Sequence, residues 1–253
     1  MNTLSIADHT KPTFKAQASI QDYSYSQKIS CYAFLLILIL GCLYWPNSFA
    51  GPEIYIADFA RENINQWESK SFVGETRYQI VQQGKETVLQ AHSQNSASGL
   101  AKPIKIDLKK TPYLYWSWKI EAHLENLTET EKSGDDYAAR VYVVIDGGWQ
   151  LWKTKALNYV WSSNQAKGSR WDNAFAGSSA KMIAIKGKED ALTWHREKRN
   201  VYQDLIAAFG DKGSAKANEK AYRHIDAIAI MTDTDNSERS IKAWYGDIYF
   251  SDK

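Results

Sequence analysis

Cysteine is nearly absent from this chain: Cys31 and Cys42 are the two it has, and both precede residue 50. An internal disulfide, a thiol nucleophile and a thiolate metal site are therefore excluded from everything that follows. The sequence also lacks a phosphate-binding glycine loop, a Gly-x-Ser-x-Gly elbow and a His-Glu-x-x-His helix. Beyond residue 50 the histidines are His92, His123, His195 and His224, dispersed without ligand spacing. A Ser-His-Asp site assembled from distant segments stays open, although no residue points to one. Lysine and arginine are scattered and the formal net charge is +2, so no basic stripe indicates a nucleic-acid partner. Neither an internal repeat nor a second domain boundary is visible.

One uncharged run is present, from Cys31 to Trp45, behind a lone cation at Lys28. That order matches the n-region and h-region of a secretory signal. A bilayer-spanning helix needs about 20 apolar residues, more than this run supplies before Trp45-Pro46-Asn47 breaks it. Ser48-Phe49-Ala50 places small residues where a signal peptidase inspects the chain, so cleavage after Ala50 is expected. Lipidation of Cys42, in the poor lipobox-like string Ile39-Leu40-Gly41-Cys42, and an uncleaved anchor are the alternatives. The chain then divides into an N-terminal tail and signal, 1–50, and a single exported domain, 51–253. The lack of cysteine in that domain suits a periplasmic or outer-envelope location in a bacterium.

The exported part is rich in aromatics and carries nine of the ten tryptophans. Short β-branched and aromatic runs separated by polar or Gly-containing turns predict strands at 53–59, 76–82, 87–92, 100–107, 113–122, 137–146, 156–162, 181–186, 225–232 and 241–251. A mostly β, two-sheet sandwich accounts for them. Within 137–146, Val141, Val143 and Ile145 alternate with Asp136, Arg140 and Tyr142, which predicts one core face and one available face. Within 113–122, Trp116, Trp118 and Ile120 oppose Tyr115, Ser117 and Lys119, and the pattern leaves open which face is buried. The run at 225–231 is apolar on both faces, as a central strand would be. Trp194, Val201, Leu205, Ala208 and Phe209 recur near helical spacing and predict one amphipathic helix over 192–209, stopped by Gly210. An exposed loop is expected at 210–220.

Four side-chain groups are candidates for a ligand site. Asp135, Asp136 and Arg140 stand at a strand entry, where they could bind hydroxyls or simply pair as ions. Asp233, Asp235 and Asn236 form an acidic turn leaving the strand at 225–232, suited to a hard cation, to sugar hydroxyls or to an Asx-type turn. The turn departs from the EF-hand pattern at Ser237 and Glu238. Arg199, Asn200 and Asp204 lie on the predicted helix and could meet that turn across a cleft. Trp116, Trp118, Trp152, Trp161 and Trp171, with Tyr142 and Tyr159, could stack on sugar rings, although at least half of these rings are expected in the core.

Several strings taken together resemble a bacterial family of exported proteins known as domain of unknown function 3047. They are Ser96-Ala97-Ser98-Gly99-Leu100, Trp116-Ser117-Trp118-Lys119, the run from Gly134 to Val143 with its Asp135-Asp136-Tyr137-Ala138-Ala139-Arg140, Leu157-Asn158-Tyr159-Val160-Trp161, Arg199-Asn200-Val201 with Asp204, and Met231-Thr232-Asp233-Thr234-Asp235-Asn236. The resemblance implies a single exported domain and assigns no catalytic residue. A looser likeness, at Ile56-Ala57-Asp58-Phe59 and Ala243-Trp244-Tyr245-Gly246-Asp247-Ile248, is to jelly-roll carbohydrate-binding modules. It implies neighbouring first and last strands and a structural calcium, for which Asp58 and Asp247 are the oxygens to test.

The expected function is glycan binding in an aromatic and acidic cleft, through residues such as Trp161 and the polar groups above, with no cofactor required. A glycan hydrolase or lyase using Asp136 with Asp233 or Asp235 is one alternative, and a structural envelope protein is another. A membrane contact is expected through an uncleaved signal or a lipidated Cys42 alone. Oligomeric state is open.

Overall fold

A computed structural model describes residues 53–61, 64–148, 150, 153–189 and 191–253. The signal segment with Cys31, Cys42 and Ala50, together with Trp149 and Trp152, lies outside the described residues.

Alternating inward apolar residues form two packed sheets. The first contains β1 (Glu53–Ala57), β3 (Arg77–Gln83), β4 (Glu86–Gln94), β6 (Tyr113–Ile120), β11 (His195–Asn200) and β13 (Ser240–Ser251). Its order is β11-β6-β13-β4-β3, with β1 beside β13. The second contains β2 (Glu68–Val73), β5 (Ala97–Asp107), β7 (Arg140–Ile145), β8 (Lys155–Trp161), β9 (Arg170–Asn173), β10 (Gly177–Lys186) and β12 (His224–Asp233). Its order is β2-β5-β12-β7-β8-β10-β9. Successive strands β4, β5, β6 and β7 switch sheets at each step, and β12 and β13 return between them. The resulting rows, β4-β13-β6-β11 and β5-β12-β7-β8, are the two interlocked Greek keys of a jelly roll.

The facing rows bury Trp116, Trp118, Val141, Val143, Leu157, Tyr159, Trp161, Ile228, Ile230 and Tyr245 in one core. Trp116 and Trp118 therefore face inward, which settles the orientation that alternation left open. Trp116 meets Trp118 edge-on at 5.3 Å and stacks on Tyr159 at 5.3 Å, while Trp118 tilts against Trp161 at 5.7 Å. Trp116, Trp118 and Trp161 thus fill the space between the sheets, where each ring can bury about 150–250 Å². A bulge between Tyr245 and Ile248 keeps these residues and Phe250 inward along the same strand.

The predicted helix over 192–209 is half strand. His195–Asn200 pairs antiparallel with β6, from His195 opposite Trp118 to Asn200 opposite Tyr113. Its charged residues alternate, so Glu197 reaches the indole nitrogen of Trp118 at 3.2 Å and Lys186 Nζ at 3.3 Å. The helix α1 (Val201–Phe209) begins only after Asn200, whose side chain accepts a bond from the Gln203 amide at 3.1 Å as an N-cap. The expected loop at 210–220 contains a second helix, α2 (Ala215–Tyr222), capped by Ser214. Among the described residues no helix is long and apolar enough to cross a membrane.

The long segment between β6 and β7 is latched over the end of the sandwich by Glu129, which is fully buried. Its carboxylate accepts bonds from Ser162 Oγ, the Ser163 amide at 2.8 Å, and the Asn164 amide and side chain at 3.2 and 3.1 Å. Tyr137 donates to the Glu129 carbonyl at 3.0 Å, tying the latch to the entry of β7. Gly134 completes the approach, because a Cβ there would fall 2.6 Å from the Thr128 backbone. Glu129→Ala strands several buried donors and is expected to cost about 3 kcal/mol, read as a lowered midpoint in urea unfolding. An unchanged midpoint would show the latch to be dispensable.

Candidate functional site

Because β7 alternates, the residues between its inward valines face the outer side of the seven-stranded sheet. Pairing register extends that face into rows. Ala101, Ala229, Tyr142, Asn158 and Met182 form one row across β5, β12, β7, β8 and β10. Gly99, Met231, Arg140 and Val160 form the next. Glycine and alanine at so many of these positions leave unfilled space above the sheet. A cleft of about 190 Å³ results. Phe72, Tyr142 and Phe175 line it, and Asp135, Arg140, Asp233, Asp235, Asn236, Asn158 and Asn173 supply its polar side chains, together with Thr154. To one side, Tyr137, Val160 and Met182 pack with Trp171 as a small second core on the same face.

Arg140 organises the polar end. Its Nε donates to Asp233 at 2.8 Å and its Nη2 forms an ion pair with the same carboxylate. Nη2 also donates to the Asp135 carbonyl at 2.7 Å, while Nη1 lies 3.6 Å from the Asp135 carboxylate. The guanidinium sits 4.4 Å from the centre of the Tyr137 ring. Asp135, Arg140 and Asp233 are all buried, so the attraction among them must offset the loss of water from each charge. Burial raises the Asp135 pKa, and Arg140 opposes that rise.

Asp136 is fully buried and serves the turn after β12. It accepts bonds from the Asn236 amide at 3.2 Å, the Asn236 side chain at 3.1 Å and the Ser237 amide at 2.6 Å. Burial first, and next the Asp136 carboxylate, push Asp235 up to about 6. One oxygen from each of Asp136, Asp233 and Asp235 lies within 4.8 Å of the others. Arg140 already neutralises Asp233 there, and backbone amides already engage Asp136.

The structure thus brings Asp135, Asp136, Arg140, Asp233, Asp235 and Asn236 together from two distant segments. Other candidates fall elsewhere. Trp161 was expected to meet a ligand, but it is fully buried with its indole nitrogen donating to the Gly187 carbonyl at 3.1 Å. Arg199 Nε bonds Asp204 at 2.8 Å, and Asp204 accepts from the Tyr159 hydroxyl at 2.9 Å. Tyr159 points inward from β8, so Arg199 and Asp204 serve the core side of the sheet, opposite Arg140. Asn200 caps α1 instead of meeting the acidic turn. Near the first and last strands, Asp58 pairs with Arg61 at 3.4 Å and Asp247 accepts from the Phe59 amide at 3.1 Å.

Asn158, Asn173, Phe72 and Phe175 were not singled out from the sequence as ligand contacts. The alternating small residues of β5 and β12, Gly99 and Ala101 with Ala227 and Ala229, were the available signal for a hollowed face.

Residues 65–249 match the model of a family described as "Protein of unknown function (DUF3047)". The chain belongs to that family. No curated protein matches the sequence. Among solved structures, this DUF3047 domain is similar to a family 11 carbohydrate-binding module from Clostridium thermocellum in complex with a β-1,3-1,4-mixed-linked tetrasaccharide. That pair shares 14% identity over 80% of this chain and 97% of the module, with a TM-score of 0.41. It is also similar to the xyloglucanase domain of NopAA, a type three effector from Sinorhizobium fredii in complex with cellobiose. There the identity is 11% over 81% of this chain and 97% of that one, with a TM-score of 0.37.

In the DUF3047 site, the raised pKa of Asp235 has a definite sign for stability. A carboxyl whose folded pKa exceeds its unfolded value favours the fold at low pH, and that contribution is lost as pH rises through about 6. Asp235→Asn is therefore expected to stabilise the fold at pH 7 by an amount on the order of 1 kcal/mol, read as a raised melting temperature, with the gain shrinking toward pH 4. Melting curves across this range check it. A lower melting temperature at every pH would contradict the assignment.

Proposed function

We propose that the cleft on the outer face of the seven-stranded sheet binds a sugar ring of a glycan, and that the domain does so outside the cytoplasm. The observation that carries the binding reading is Asn158. It is 1% exposed, it lines the cleft, and its side-chain oxygen has no hydrogen-bond partner. A buried acceptor left unpaired costs about 1–3 kcal/mol, which a ligand donor would recover. The rest of the wall suits an amphipathic ring. Small apolar residues and the aromatic side chains of Phe72, Tyr142 and Phe175 offer surface to C–H groups, while the aspartate and asparagine side chains cluster as hydrogen-bonding groups.

Binding is favoured over cleavage because Asp136, common to both nominated acid pairs, is held by backbone amides, and Asp233 by Arg140. The large apolar side chains left exposed among the described residues, Tyr55, Val73, Ile80 and Leu192, come from four separate segments. The extracytoplasmic location is supported by the uncharged run from Cys31 to Trp45 and the small residues that follow it.

Titration calorimetry with a panel of cell-wall and extracellular oligosaccharides tests the binding. Asn158→Ala is expected to weaken the best ligand by about fivefold to tenfold. Ala156→Leu, which fills the cleft floor, is expected to abolish binding while the domain still melts cooperatively. Absence of binding across the panel, or wild-type affinity in both variants, would overturn the proposal.

A further inference from the structure

The hydrogen-bonding capacity left over in the cleft is one-sided. Each nitrogen of Arg140 already faces an aspartate: Nε and Nη2 face Asp233, and Nη1 faces Asp135. The side-chain amide of Asn173 donates to both oxygens of Asp135, at 3.2 and 3.0 Å. That of Asn236 donates to Asp136 at 3.1 Å and Asp235 at 3.3 Å. Asn158 donates to the Ala156 and Lys181 carbonyls at 3.4 and 3.3 Å. These two bonds fix the orientation of its amide, because the reverse placement would set oxygen against two carbonyl oxygens. The Nε and Nη2 donors of Arg140 and the three asparagine amides of the cleft are thus engaged. The buried Asn158 Oδ1 is left without a partner, and the Asp235 carboxylate lies against the like-charged Asp136 carboxylate.

Charge points the same way. The charged side chains lining the cleft among the described residues are Asp135, Asp233, Asp235 and Arg140, and Asp136 stands directly behind Asp235. Arg140 compensates part of this charge and leaves an excess of carboxylate at the wall. A uronate or sulfated sugar would bring a further negative charge to that wall. An ammonium group would supply the countercharge that Asp235 is short of beside Asp136, while Asn158 can accept from a hydroxyl elsewhere on the glycan.

We infer that the cleft selects a cationic amino sugar, a glycan residue with a free amine, over its neutral and anionic counterparts, through the excess of carboxylate centred on Asp235. The inference rests on the glycan reading above and names the class of sugar. It does not follow from overall charge, since the whole chain carries a formal net charge of +2 and would repel a cationic ligand elsewhere.

Calorimetry with matched oligosaccharides of glucosamine, N-acetylglucosamine, glucose and glucuronate, at low and moderate salt, tests it. The glucosamine oligomer is expected to bind about tenfold tighter than the glucose oligomer at low salt, with the gap narrowing as salt rises. Asp235→Asn is expected to bring the glucosamine oligomer to the affinity of the glucose oligomer in the same variant, and Asn158→Ala to weaken both. Equal affinity for amine and neutral oligomers, tighter binding of glucuronate, or a gap that survives in Asp235→Asn would overturn the amine preference and leave glycan binding standing. No binding of any oligomer would overturn both.

Discussion

Arg140 is the constraint on which the candidate site depends. It sits at the first position of β7 with its guanidinium buried, and it ties Asp135, from the segment before β7, to Asp233, at the end of β12. These parts are distant in sequence and adjacent in space only because β7 and β12 pair. An unpaired charge at this depth would be strongly destabilising, so the three groups must arrive together or not at all. Asp136 repeats the logic one residue on, where it holds the turn after β12 through two backbone amides. The polar end of the cleft is therefore a built corner of the fold, set before any ligand arrives.

The cleft itself follows from a division of labour between the two faces of one sheet. Large residues of β7, β8 and β12 point inward, where Val141, Tyr159 and Ile230 meet the aromatic row from β6. Their neighbours on the outer face are small at Ala156, Ala227 and Ala229, and β5 adds Gly99 and Ala101. A sandwich needs only its inner faces filled to be stable. The outer face was free to be hollow, and the latch at Glu129 brings the segment before β7 close enough to border the hollow with Asp135.

Much of this was legible along the chain because β-structure writes its own period. The alternation through Val141 and Val143 correctly separated core from free face, and the doubly apolar strand at 225–232 is central in its sheet. What failed did so for physical reasons. β2 and β9 lie at sheet edges, and β2 is built from the polar run Glu68-Ser69-Lys70-Ser71, so neither carries an apolar signal. The spacing from Trp194 to Phe209 looked helical because it ran across a strand-to-helix junction, and Asn200, a good N-cap, marked the true start. Trp161 looked available because side-chain type does not reveal facing. The two acidic strings were visible, but that Asp136 and Arg140 meet Asp233 and Asp235 came from the pairing of β7 with β12. Asn158 became part of the same place only once cross-strand register put it beside Tyr142.

The pairing of β1 with β13 has a consequence for attachment. Glu53 lies opposite Ser251, so the two ends of the described domain emerge as neighbours from the six-stranded sheet. The cleft opens on the outer face of the other sheet, turned away from that point of exit. Anything joined to either end, whether a tether to a surface or another domain, therefore departs from the far side of the sandwich. The arrangement is that of a hand held out from a wrist, with the palm clear of whatever it is fastened to.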